Sequence, residues 1–267
     1  MDIARRNNVT VTGNPQGRTV VLAHGFGCDQ NMWRLTVPAL ADDYRVVLFD
    51  YVGAGRSDAA AFSEDRYGSL GGYAQDVVEV CEALDLRDAV FVGHSVSAMI
   101  GVLAAGLAPG RIGALVMVAP SPCYIDEDGY RGGFSAEDID ELLTSLESNY
   151  LGWSAVMAPV IMGNEDRPEL GAELKNSFCA TDPDMARVFA RTTFLSDSRG
   201  DLKSVTVPTL VLECLQDAIA PREVGAYVHR AVPGSTLVTL DATGHCPHLS
   251  APEATNKAIR TFLAGLR

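Results

Sequence analysis

Residues 91–101 read Phe-Val-Gly-His-Ser-Val-Ser-Ala-Met-Ile-Gly. An apolar, β-branched run over 89–92 leads into Gly93, His94 and Ser95, and a helical pattern over 96–107 follows at once. A serine on so sharp a strand-to-helix turn carries its hydroxyl above the sheet. The N-terminus of the next helix then faces any negative charge that develops beside it. Flanking positions must be small, because the helix passes close to neighbouring strands. Gly93 meets that need. Ser97 stands where a G-x-S-x-G pattern has its last glycine, and adds only a hydroxymethyl. Ser95, at the apex, is the candidate nucleophile, while Ser97 falls in the first helical turn and faces elsewhere. Taken alone, the stretch also fits a plain serine N-cap, since serine is favoured there.

Outward from this turn, apolar strands and helical patterns alternate. Thr19–Ala23, Tyr44–Phe49, Ala89–Val92, Ala114–Val118, Pro208–Leu212 and Thr236–Leu240 read as strands, and 7–12 as a further edge strand. Several are apolar on both faces, as parallel strands covered by helices on each side must be. Helical periodicity runs through 70–84, 221–231 and 252–265 as well as 96–107. Such alternation predicts a doubly wound α/β sheet. About 85 residues between Val118 and Pro208 hold no strand pattern, and a structureless loop of that length is implausible. Helical patterns over Ala136–Tyr150, Trp153–Met162, Glu169–Cys179 and Asp184–Leu195, broken at Gly163, Pro168 and Pro183, predict a helical cap instead. The expected organisation is a core of 1–120 and 205–267 with a lid of 121–204.

Two residues complete the chemistry that Ser95 needs. Asp217 follows the 208–212 strand, and His245 follows the 236–240 strand in Asp-Ala-Thr-Gly-His-Cys-Pro-His. Both fall in loops after strands, on the rim where a doubly wound sheet binds ligands. The chain order serine, acid, histidine is the one such sheets use. His245 is the candidate general base and Asp217 the group that fixes its tautomer. Asp126 is a weaker rival acid, and Glu213 lies too near its strand. His24-Gly-Phe-Gly27 follows the 19–23 strand, where a glycine-rich turn aims a backbone N–H at a carbonyl oxygen. The expected oxyanion donors are the amides of Phe26 and Val96, with His24 a structural histidine.

Composition narrows the field. The 267 residues carry 21 Lys and Arg against 34 Asp and Glu, a net charge of -13. That balance argues against tracking of nucleic-acid phosphates and against adsorption to anionic lipid. The N-terminus has no apolar stretch of signal-peptide type, and no apolar run approaches membrane-spanning length. Six cysteines without C-x-x-C pairs read as reduced thiols, so a cytoplasmic location is expected. Gly53-Ala-Gly55 lacks the third glycine of a dinucleotide fingerprint. His245 and His248 have H-x-x-H spacing, but Pro247 between them prevents a regular helix, so neither a metal nor a cofactor is expected.

Ala23–Trp33, Phe49–Ser57, Gly72–Asp76, Phe91–Val96, Ser121–Tyr124 and Gly244–His248 together resemble the RsbQ family of α/β-hydrolases. That family comprises bacterial stress regulators related to the plant karrikin and strigolactone receptors. The similarity spans nearly the whole chain. It implies an α/β-hydrolase fold, a doubly wound and mostly parallel sheet with a V-shaped lid of four helices inserted after the sixth strand. It also implies a deep pocket lined by Phe26, Tyr124, Phe134, Leu142, Trp153, Met157, Phe194 and Ile219. Such a pocket suits a compact hydrophobic ester, lactone or butenolide-like compound, hydrolysed slowly by a Ser-His-Asp triad. The alternative role is signalling, in which the protein senses or generates a small ligand and activates a PAS-containing phosphatase in a stress response.

Overall fold

The computed structural model describes residues 2–266. Seven strands form one sheet: β1 (Thr10–Gly13), β2 (Thr19–Ala23), β3 (Arg45–Leu48), β4 (Ala89–His94), β5 (Ile112–Val118), β6 (Thr209–Gln216) and β7 (Thr236–Thr243). Their order across the sheet is β1-β3-β2-β4-β5-β6-β7, and only β1 runs antiparallel to its neighbour. The alternation of side chains explains why the central strands are apolar throughout. Val21, Phe91, Leu115, Met117 and Val211 enter the core on one face, beneath helices Leu70–Ala83 and Val96–Leu107. Val20, Leu22, Val90, Val92, Val116 and Leu212 enter the opposite core, with Trp33, Leu40 and helix Pro252–Gly265. Neither face of the central strands meets water, so no polar alternation survives there, whereas the edge strands β1 and β7 are partly exposed.

The edge strand is shorter than the sequence suggests. It begins at Thr10, because Ile3–Arg6 form a helical turn, capped by the Asp2 side chain on the Arg5 amide, and Asn8 follows with a positive φ of 44°. The N-terminal segment therefore supplies one strand, and the helical insertion follows the fifth strand, not the sixth. Four helices make up this roof: Ala136–Ser148, Tyr150–Met162, Pro168–Ala180 and Pro183–Phe194. Their ends follow local chemistry. Ser135 and Asp138 form a capping box. Gly163 closes the second helix in the left-handed conformation, and Pro168 and Pro183 open the third and fourth. The second helix begins at Tyr150, three residues before the expected Trp153, because the Asn149 side chain accepts the Gly152 amide. Ile139, Leu143, Leu146, Trp153, Leu174 and Phe178 pack a third apolar cluster between roof and sheet. Among the described residues no helix is long and apolar enough to cross a membrane.

Candidate active site

β4 delivers Ser95 at its C-terminal end with φ 57° and ψ -126°. A non-glycine residue with that φ is strained, and the neighbourhood must hold it there. Two features do so. The Ser95 amide donates to the Val118 carbonyl of β5 at 2.8 Å. Gly93 lies so close to the next helix that any side chain would collide with the Ser97 carbonyl oxygen and the Ala98 nitrogen. The turn is thus imposed from both sides.

The chain from Ser95 outward is continuous. Ser95 Oγ lies 2.7 Å from His245 Nε2, and His245 Nδ1 lies 2.7 Å from Asp217 Oδ2. Asp217 Oδ1 accepts the amides of Ile219 and Ala220 at 2.8 and 3.1 Å. The Asp217 side chain is fully buried, so its charge is held by the imidazole and two amides and not by water. With Nδ1 donating to the carboxylate, Nε2 is left to accept the serine proton. Asp126 takes no part, since its carboxylate accepts the amides of Gly132 and Gly133 in a turn. Glu213 is turned toward Thr239 and Arg222.

His245 is gripped from three directions. Gly244, with φ 91°, passes so close to Met162 that a side chain would overlap its carbonyl oxygen. The His245 amide donates to Ile161, the penultimate residue of the second roof helix, at 2.8 Å. Its carbonyl accepts the Nε2 proton of His94 at 2.8 Å. His94 packs against His248, which stacks on Trp33. Burial holds both histidines neutral. It pushes His94 well below the ordinary imidazole value and, with repulsion between His248 and His245 as the lesser cause, His248 down to about 3. Among the described residues no cluster of three or more metal-ligating side chains forms.

Opposite the triad, the His24–Gly27 turn brings Phe26 against the cavity. Neither the Phe26 amide nor the Val96 amide is occupied by a turn, cap or loop hydrogen bond among the described residues. Both remain available to a developing oxyanion. His24 keeps its structural role: Nδ1 donates to the Gly25 carbonyl at 2.9 Å and Nε2 accepts the Tyr51 amide at 3.2 Å.

A cavity of about 30 Å³ adjoins Ser95 and His245. Phe26, Tyr124, Phe194 and Ile219 line it, as the resemblance implies. Phe134, Leu142, Trp153 and Met157 do not. They line a separate groove of about 480 Å³ between the first two roof helices. Trp153 causes the division, because it packs edge-on against Phe26 and Phe178 and so closes the inner cavity from the groove. The sequence reading missed Cys28, Ile161, Leu174, Phe178, Thr193 and Cys246, which complete the inner wall. Leu174 and Phe178 stand four residues apart on one helix, a spacing that could have marked their shared face. Burial pushes the thiols of Cys28 and Cys246 far up, so neither rivals Ser95 as a nucleophile.

The family model for the alpha/beta hydrolase family matches residues 20–258. The chain belongs to the alpha/beta hydrolase family. Karrikin insensitive 2 receptor CA of Petunia hybrida is 39% identical to it over 94% of this chain and 93% of its own. Strigolactone esterase D14 of Arabidopsis thaliana is 37% identical, with 96% of each chain covered. Among solved structures, a hydrolase from Oleispira antarctica superposes with a TM-score of 0.97 at 42% identity, covering 99% of this chain and 97% of that one.

Proposed function

We propose that this alpha/beta hydrolase is a slow serine esterase, and that it cleaves a small hydrophobic ester, lactone or butenolide-like compound. The observation that carries the reading is the unbroken Ser95–His245–Asp217 chain, with a free amide pair beside it and an apolar cavity above. Ser95 Oγ attacks the substrate carbonyl carbon as its proton passes to His245 Nε2. The carbonyl oxygen becomes an oxyanion facing the amides of Phe26 and Val96. Collapse expels the alkoxide or enolate, which takes the proton back from His245, and an acyl-Ser95 remains. Water then attacks the acyl group, with His245 again acting as base, and releases the acid. Asp217 stays ionised throughout and stabilises the imidazolium.

The cavity sets the size of substrate. A single water takes up roughly 10–15 Å³ on a comparable measure, so 30 Å³ holds no more than a few atoms at rest. Substrates enter by displacement of the roof, and short acyl groups are favoured over long chains. Turnover on a panel of aryl esters graded by acyl length, together with butenolides, tests the proposal. Hydrolysis confined to short-chain members is the expected outcome. Equal rates on long-chain esters, or none on any member, would contradict it.

A second reading is favoured by the receptor named among the relatives. In it the same pocket senses or generates a ligand and the protein signals to a partner, for which the RsbQ-like motifs suggest a PAS-containing phosphatase. A thermal shift on adding a butenolide, with turnover slower than once per minute and a phosphatase retained only when ligand is present, would support it.

A further inference from the structure

We infer that Ser97 is a positioning residue whose hydroxyl ties the two halves of the oxyanion hole together. The inference rests on the hydrolase reading of the site. In the G-x-S-x-G pattern the position of Ser97 is a glycine, which could make no such tie. Here Ser97 is fully buried, and Oγ lies 2.5 Å from the His24 carbonyl oxygen and 3.0 Å from the Tyr51 hydroxyl. The serine has one proton, and a carbonyl can only accept. Ser97 therefore donates to His24, and Tyr51 donates to Ser97. Burial pushes the Tyr51 phenol far up, so its proton is always present for that bond.

The geometry of the turn gives this network its consequence. The Phe26 amide belongs to the Gly25–Phe26 peptide plane, and in a planar trans peptide the C=O and N–H point in opposite directions. Whatever holds the Gly25 oxygen therefore aims the Phe26 proton. His24 Nδ1 holds that oxygen, and the Tyr51 amide holds the other edge of the His24 ring. The preceding plane, His24–Gly25, is held through its own carbonyl by Ser97. Ser97 also follows Val96 directly, and Val96 carries the second oxyanion amide. A single side chain thus fixes the spacing between two donors that come from strands β2 and β4. His24, Tyr51 and Ser97 are all fully buried, so no water substitutes for a lost member.

The test compares Ser97→Ala and Tyr51→Phe with the unmodified protein on one aryl ester that it hydrolyses. Removing a whole oxyanion donor costs about 10²–10³ in kcat, and a loosened donor should cost part of that. Ser97→Ala is expected to lower kcat about 10- to 100-fold and Tyr51→Phe about three- to tenfold. KM and the pH midpoint of kcat/KM should stay near those of the unmodified protein, while the melting temperature falls by a few degrees because a buried polar group loses its partner. That split separates aim from general packing, because a packing defect at the cavity moves KM as well. Ser97→Ala within twofold of the unmodified kcat would overturn the inference. So would a Tyr51→Phe protein of unchanged kcat, which decides the matter if Ser97→Ala fails to fold. An unmodified protein that neither hydrolyses any ester nor takes up a fluorophosphonate would instead defeat the hydrolase reading itself.

Discussion

The sheet and its roof use apolar residues in opposite ways. In β4 every residue from Ala89 to His94 is buried, with successive side chains entering different cores. The second roof helix, Tyr150–Met162, carries no charged residue at all, yet Leu151, Val156 and Val160 are 58%, 67% and 48% exposed. In the central strands an apolar side chain is a buried one, and each has a single place to go. In the roof the inward residues, Trp153, Ala158, Ile161 and Met162, are buried by packing, whereas the outward ones are largely open to solvent. The reacting groups stand where these two kinds of structure meet. Ser95 and Asp217 belong to the sheet, and His245 hangs between the end of β7 and the carbonyl of Ile161 in the roof. The comparison predicts steep losses for changes in the sheet or at its seam with the roof, and shallow ones on the roof's outer side.

The largest loss should come from the sheet side. Asp217→Asn should fold normally and lower kcat by up to ~10⁴, because asparagine presents an N–H to Nδ1 and stabilises the wrong imidazole tautomer. Steady-state kinetics on an aryl ester measures it, with Asp126→Asn as the control that should lose little. At the seam, Gly244→Ala forces a side chain into the Met162 carbonyl and a positive φ onto a residue with a Cβ. A cost of about 2–3 kcal/mol is expected in urea unfolding, together with reduced kcat, since His245 is the next residue. Loss of stability without loss of turnover would mean that the seam does not position the base.

An effect on stability alone, spread over pH, comes from a histidine behind the triad. His248 is neutral in the folded protein down to pH about 3, whereas in the unfolded chain it protonates near 6.5. Below that value the unfolded chain binds one more proton than the folded protein, so stability falls as the pH falls. The slope from this residue is about 1.4 kcal/mol per pH unit between 6.5 and 3. His248→Phe keeps the ring on Trp33 and should remove that share, read as the difference between the two proteins in urea unfolding at pH 6.5, 5.5 and 4.5. Equal slopes would place a charged His248 in the folded state. Last, Val156→Ser on the outer roof should change stability by no more than about 0.5 kcal/mol. A large loss there would show the outer roof to be covered by something in solution.

What was legible in the sequence divides along the same line. The strands were readable because burial on both faces leaves no polar alternation, and the Ser95, Asp217 and His245 loops followed from their places after those strands. The edge strand was overextended because Asn7 and Asn8 are held by Asp50 and Asp76 from distant parts of the chain, which the pattern of 7–12 does not show. The family resemblance put Phe134, Leu142, Trp153 and Met157 in one pocket with Phe26, and nothing in a helical period says which aromatic ring becomes a wall. Trp153 became one only through its contacts with Phe26 and Phe178 from two other segments. Ser97 was read as merely small for a similar reason. Its partners, His24 and Tyr51, are 73 and 46 residues away in the chain.

The most direct test of the account is the site of covalent capture. A small fluorophosphonate should phosphonylate the folded protein at one residue, displacing fluoride as Ser95 Oγ bonds to phosphorus, and peptide mass mapping should place the adduct on Ser95. The rate of capture should fall sharply in Asp217→Asn, which leaves the serine in place but misdirects its base. An adduct on Ser97, on Cys28 or Cys246, or no adduct on protein that hydrolyses an ester, would contradict the assignment of Ser95 as the nucleophile.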